Sequence, residues 1–247
     1  MRSKILLVVS LFSTPLLSYA DCSEPAAPRV NWEFCDKQSA QLSNSDLREA
    51  VLKKAKLNSA NLENSRLSDA DLGFTQLKNA NLDNIRARNA RFTSAQLQNA
   101  SINNAYLPNA RFSRADLSHA TSTNSNFTKV NFYNTKFEKT KVDSSDFTDA
   151  NLEQTNMSDI SAINSIFSKA RLINANMEYG NFSGANFSKA KLEGALLNEA
   201  NFSGADLQGA DLRRAEIVNT DFSDAKLGNA IWVNHKRCRP GSIGVCK

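Results

Sequence analysis

Three groups of residues in this sequence carry side chains suited to chemistry: four cysteines, two histidines, and several arginines around a tyrosine. Cys22 and Cys35 stand near one end, Cys238 and Cys246 near the other, with none between. Zinc fits them poorly, because neither pair has tight C-x-x-C spacing and only His119 and His235 are available to complete a ligand set. An even, clustered count in an exported chain reads as disulfides. Four cysteines allow three connectivities, of which proximity favours Cys22–Cys35 and Cys238–Cys246. Arg66, Arg86, Arg88, Arg91, Tyr106, Arg111 and Arg114 gather within residues 66–114, and guanidinium groups beside a phenol suit an acidic protein surface or an anionic polymer. No G-x-S-x-G, H-E-x-x-H or P-loop occurs, and bridged cysteines leave no thiol nucleophile. These residues predict a non-enzyme that holds no metal and no cofactor.

Export is read from the first twenty residues. Arg2 and Lys4 precede an apolar run from Ile5 to Leu17, and Ser18-Tyr19-Ala20 puts small residues at the sites a signal peptidase reads. The run is short and broken by Pro15, so the reading is a cleaved signal over 1–20 and not a membrane span. Asp21 before Cys22 argues against lipid attachment. Losing Arg2 and Lys4 leaves 28 Lys+Arg against 25 Asp+Glu, a mild basic excess that names no partner. The expected location is periplasmic or secreted.

The elements that must position these groups follow from an unusual period. From Leu42 to Trp232 every fifth residue falls in one uninterrupted frame of 39 positions, and 36 of them are Leu, Phe, Ile, Met, Val or Trp; Ala87, Ser122 and Ala162 are the exceptions. Two residues earlier, 36 of 39 are Ala, Ser, Thr or Gly, the exceptions being Ile85, Val130 and Ile160. A five-residue step scatters these positions around a helix and flips them across a strand. A chain that turns a corner every five residues, by contrast, points each large and each small residue inward. Such units cannot bury their apolar residues alone and must stack into a solenoid.

The units "ANLEN", "ADLGF", "ANFSK", "ADLQG" and "ADLRR" resemble the pentapeptide-repeat family, whose consensus is close to A-[D/N]-L-x-x. The resemblance covers residues 40 to about 232 and implies an all-β fold, a right-handed quadrilateral β-helix of about ten coils with 20 residues each. The division expected is a signal over 1–20, an N-terminal disulfide cap over 21–39, the β-helix over 40–234 and a C-terminal disulfide cap over 235–247. "NWEFC" before the repeats and "GSIGVC" after them are similar to exported members from Gram-negative bacteria. Val30, Trp32 and Phe34 are read as part of the first cap and Trp232 as part of the second.

A 20-residue coil also has support from the residues themselves. Asn44, Asn64, Asn84, Asn104, Asn124, Ser144 and Asn164 recur at that interval, which predicts a stacked amide ladder on one side, with corner geometry a partial alternative. Paired size changes are expected to keep the core full: Ile85 with Ala87, Ile160 with Ala162, and Phe127, Phe132 and Phe137 around Ser122. At "DISAINSIF", Ile160, Ile163 and Ile166 compete for the interior, which leaves a local bulge open; if the frame holds, Ile163, Ile166 and Ile173 form an outward apolar group that reads either as a partner or dimer contact or as that bulge alone.

Arithmetic on the coil puts the arginine group on two adjacent sides, with Tyr106 in one column with Arg66 and Arg86. It reads either as a binding patch or as a solvated face near Asp69 and Asp116. Inhibition of DNA gyrase by acidic, DNA-like rods is the family's best-known activity, but a net positive exported chain lacks the negative surface this needs. The expected partner is a protein and not nucleic acid, with a homodimer through a rod end as a further possibility. The function read is a rigid scaffold or interaction module; the alternative is a secreted factor that binds an acidic host or envelope target through the Arg/Tyr patch.

Overall fold

The unit Asn61-Leu62-Glu63-Asn64-Ser65 shows how five residues make one side of a coil. Leu62 is fully buried, and the Ser65 N–H donates to its carbonyl at 3.0 Å. Asn64, between them, has φ of 59° while Glu63 does not leave the negative range, the signature of a type II turn. The chain therefore turns a corner after each large residue. The structure, a computed structural model, describes residues 20–247; the segment read as a signal otherwise lies outside the described residues.

Parallel bridges join residues twenty apart, from Asn31↔Val51 through Asn61↔Asn81 to Asp211↔Ile231. Four five-residue units thus close one coil and set the next directly above it. The all-β expectation needs one correction. Among the described residues these pairs are isolated bridges and no extended strand forms, because a positive-φ corner interrupts the backbone every five residues.

Backbone hydrogen bonding explains the repeated letters. The second and fourth N–H groups of a unit donate to the next coil, as Leu62 to Asn81 O at 2.7 Å and Asn64 to Asp83 O at 2.9 Å, while the first donates to the coil before, as Asn81 to Ala60 O at 3.0 Å. Only the third N–H remains, and a buried or half-buried donor without a partner is costly. An Asn or Asp in the first position supplies the acceptor: Glu63 N–H to Asn61 Oδ1 at 3.1 Å, Gly73 to Asp71 at 2.9 Å, Ser203 to Asn201 at 2.8 Å. This is a side-chain turn of the Asx kind. Where a small position holds Ser or Thr, its hydroxyl donates to a carbonyl one coil away, as Ser65 to Leu42 O at 2.6 Å and Thr135 to Phe112 O at 2.8 Å.

Inside, large and small residues trade volume. Ile85, Val130 and Ile160 are buried in small slots, and Ala87, Ser122 and Ala162 in large ones. Around Ser122, Phe127 and Phe132 pack with ring centroids 5.3 Å apart, and Phe132 and Phe137 with centroids 4.9 Å apart. Gly180 extends the same logic: a Cβ there would lie 2.5 Å from Phe182 and 3.1 Å from Ile160, one coil below.

One alternative and one expectation fall away. The chain runs through "DISAINSIF" without a bulge, because Ala162 and Phe167 hold the large slots and the bridges Lys141↔Ser161 and Asp146↔Ile166 keep register. No side-chain hydrogen bond joins the Asn44 column among the described residues. Its members are positive-φ corners, and beyond Asn164 the column passes to Gly184 and Gly204, the residue that takes that conformation most readily. A side-chain ladder does form one residue earlier, where Asn103 N–H donates to Asp83 at 2.7 Å and Thr123 N–H to Asn103 at 2.9 Å.

Each end is closed differently. Cys22 is bonded to Cys35 over Trp32, which is buried; its indole N–H donates to Glu24 O at 3.2 Å and the Lys37 ammonium lies 4.2 Å from its ring centre. The bridge register already runs at Asn31, inside the segment read as the first cap. Phe34, expected in that cap's apolar seal, is instead a corner with φ of 63° and its ring in solvent. At the other end the chain reverses. Lys226↔Ile243 and Ile231↔Arg237 are antiparallel, Leu227 N–H donates to Ser242 O and Asn229 N–H to Cys238 O, and Cys238 is bonded to Cys246.

Candidate functional site

The first position of each unit points outward, so residues there are free to vary once the third N–H is solvated. Arg66, Arg86 and Tyr106 take that position on three successive coils of one side, and Arg91 and Arg111 on two successive coils of the next. None of the five accepts a hydrogen bond from the third N–H of its unit. After Tyr106 the third residue is Pro108, which has no N–H to satisfy and a φ suited to that turn position.

Arg66, Arg86, Arg88 and Tyr106, with Ser68, Asn84, Ile85 and Asn104, line a groove of about 680 Å³. Arg88 donates to the Tyr106 hydroxyl at 3.3 Å, which braces the ring across two units and holds the guanidinium proton more firmly than usual. Asp46 reaches Arg66 at 3.6 Å, but its closer partner is Arg48 at 2.6 Å. Asp71 reaches Arg91 at 3.7 Å. Arg86, Arg111 and Arg114 have no carboxylate partner among the described residues. The structure therefore brings Arg66, Arg86, Arg88 and Tyr106 into one groove, and sets Arg91, Arg111 and Arg114 on the neighbouring side with its corner. Asp116, proposed as a neutralising neighbour, instead accepts from Ser118 and Gln98 on another side.

The pentapeptide-repeat profile matches this chain in eight copies, with spans running from residue 38 to residue 231. The chain belongs to the pentapeptide-repeat family. Among solved structures, this pentapeptide-repeat protein is similar to QnrB1, a plasmid-mediated fluoroquinolone resistance protein, at 18% identity over 69% of this chain and 86% of that one, with a TM-score of 0.56. It is also similar to HetL from the cyanobacterium Nostoc sp. strain PCC 7120, a pentapeptide-repeat protein involved in heterocyst differentiation regulation, at 22% identity over 86% of this chain and 94% of that one, with a TM-score of 0.38. No curated protein matches the chain. At 18% identity the likeness to QnrB1 concerns the fold alone. Among the described residues no helix is long and apolar enough to cross a membrane.

Sequence reasoning overlooked a second outward feature of this pentapeptide-repeat protein. Phe34 and Phe74 occupy fourth, corner positions of one edge, 63% and 50% exposed, with Lys54 between them. The available signal was an aromatic residue where the turn asks for Asn or Gly. The isoleucine group is weaker than expected, since only Ile166 is exposed while Ile163 and Ile173 are half-buried.

Proposed function

We propose that this pentapeptide-repeat protein is an exported, non-enzymatic interaction module: a right-handed quadrilateral rod of about ten coils that offers fixed side-chain columns to a protein partner. One observation carries the reading. Arg66, Arg86, Arg88 and Tyr106 share a groove in which Arg86 lacks a carboxylate partner, so its charge is available to a ligand. Rigid spacing favours recognition, because few side chains need ordering on binding. The mature charge is too small to favour nucleic acid. Export is supported by the order of charge, apolar run and small residues over 1–20, and by the two end disulfides.

The test is cell fractionation of the tagged chain combined with crosslinking in the periplasm, run for wild type and for Arg86→Ser/Arg111→Ser. The expected result is a processed, disulfide-bonded protein in the periplasm or medium whose crosslinked partner is lost in the double variant. A cytoplasmic, unprocessed chain, or a partner retained by the double variant, overturns it. Recovery in the medium, with binding to an acidic host or envelope surface, would favour the secreted-factor reading; recovery of only a second copy would favour a homodimer.

A further inference from the structure

We infer that the ridge Phe34, Lys54 and Phe74, with the arginines beside it, binds an extended acidic protein segment that carries apolar side chains three residues apart. Corner positions in this fold require positive φ, which is least comfortable for bulky residues, and most corners are Asn, Gly, Ser, Asp or Lys. Phe34 and Phe74 accept φ of 63° and 59° and still leave their rings in solvent. Within the fold Phe34 gains only the Lys54 ammonium over its ring, and Phe74 makes no ring or cation contact among the described residues. A surface that is costly to build and apolar when built marks a contact.

The surroundings state the chemistry of the contact. Lys54 lies between the two rings on the same edge, its ammonium 4.7 Å from the centre of Phe34. Arg114 continues that edge two coils beyond Phe74, and Arg111 lies on the side that leads to it. Of the carboxylates beside the ridge, Glu33 precedes Phe34 and Asp71 is paired with Arg91 at 3.7 Å, whereas Lys54, Arg111 and Arg114 have no carboxylate partner among the described residues, so the charge that complements the ridge is negative. Exposed rings mixed with arginine are the composition of a protein interface.

Spacing selects the partner's conformation. Phe34 and Phe74 are two coils apart, roughly 9–10 Å at a normal inter-strand distance. A polyproline II segment advances about 3.1 Å per residue with three residues per turn, so side chains at i and i+3 lie on one face about 9 Å apart. Acidic, unfolded segments favour that conformation. Carboxylates between the two anchors then face Lys54 and the arginines. This inference rests on the interaction-module reading but adds an anchor separate from the Arg66/Arg86 groove.

The test is fluorescence anisotropy with a labelled glutamate-rich octapeptide bearing leucines at positions 3 and 6, and with a control in which both leucines are serine. The protein is the disulfide-bonded wild type, Phe34→Asn/Phe74→Asn, and Arg66→Ser/Arg86→Ser, which alters the groove alone. The leucine peptide is expected to bind about tenfold more tightly than the serine peptide. Phe34→Asn/Phe74→Asn removes that preference while its unfolding midpoint stays level or rises, since Asn is at ease at positive φ. A photoreactive leucine in the probe is expected to label segments 33–35 and 73–75. Equal binding of the two peptides, a preference that survives in the phenylalanine variant, no saturable binding of the leucine peptide, or labelling elsewhere overturns the inference. So does phenylalanine-dependent binding that is tighter for a heparin oligosaccharide or for phosphatidylglycerol vesicles. The arginine variant separates the two readings: if it binds the peptide as wild type while the phenylalanine variant does not, the ridge stands whatever crosslinking shows of the groove, and the reverse result sinks the ridge alone.

Discussion

Residues 181–215 and residues 66–114 build the same interior and opposite exteriors. In both, every large position is buried, and only Ala87, which trades volume with Ile85, is not itself a large residue. In the later region Asn181, Asn186, Asn201, Asp206 and Asp211 accept the third N–H of their units, and Gly184, Gly194, Gly204 and Gly209 take the corners. In the earlier region Arg66, Arg86, Tyr106, Arg91 and Arg111 stand where acceptors would stand, and Phe74 and Arg114 take corners. The comparison separates two demands on one chain. Folding requires the interior and the turn acceptors; the arginines and aromatic rings answer to something outside the rod.

The largest test of that separation lies inside. Phe132→Ala removes a ring in contact with Phe112, Phe127 and Phe137, and is expected to cost about 3–5 kcal/mol in denaturant unfolding. Arg86→Ser should leave the midpoint unmoved, and a comparable loss there would erase the distinction. Gly180→Ala comes next, at about 1–3 kcal/mol, because the new methyl meets Phe182 and Ile160 at once. A neutral result in thermal melting would show that the rings can shift. Arg86→Asn sharpens the contrast from the other direction. It restores an acceptor for the Arg88 N–H and is expected to stabilise the fold by about 0.5–1 kcal/mol while weakening anion binding in titrations. The smallest effect is acid sensitivity. Hydrogen bonds from Arg48 hold Asp46 below its ordinary pKa, and those from Arg213 do the same for Asp211. Their stabilisation is present above about pH 4 and is lost as pH falls through the lowered values. Asp211→Asn should flatten the melting midpoint's decline below pH 4.

The five-residue beat was legible because burial acts on one residue type at one spacing, and Leu62, Leu67 and Leu72 could face no common direction on a helix or strand. Column arithmetic also brought Arg66, Arg86 and Tyr106 together, since a 20-residue coil fixes which residues are vertical neighbours. Corner geometry was less legible. Asn44 and Asn64 looked like ladder partners, yet backbone φ accounts for their type, and Phe34 looked like a cap residue because its apolarity says nothing about the φ of its position. Ion pairing was hidden too, since Arg48, two residues from Asp46, takes most of the charge that Arg66 would otherwise face.

Twenty residues per coil makes the rod behave like a stack of indexed discs. Inserting or deleting twenty residues changes its length and leaves every surface column aligned. Inserting five keeps each large residue inside, yet rotates everything above by a quarter turn relative to everything below. A single such event between residues 70 and 85 would carry Arg66 to a different side from Arg86 without disturbing the core. Sequence change in this protein therefore has a gear ratio: one small step in length can redraw the whole outer surface while the interior does not register it.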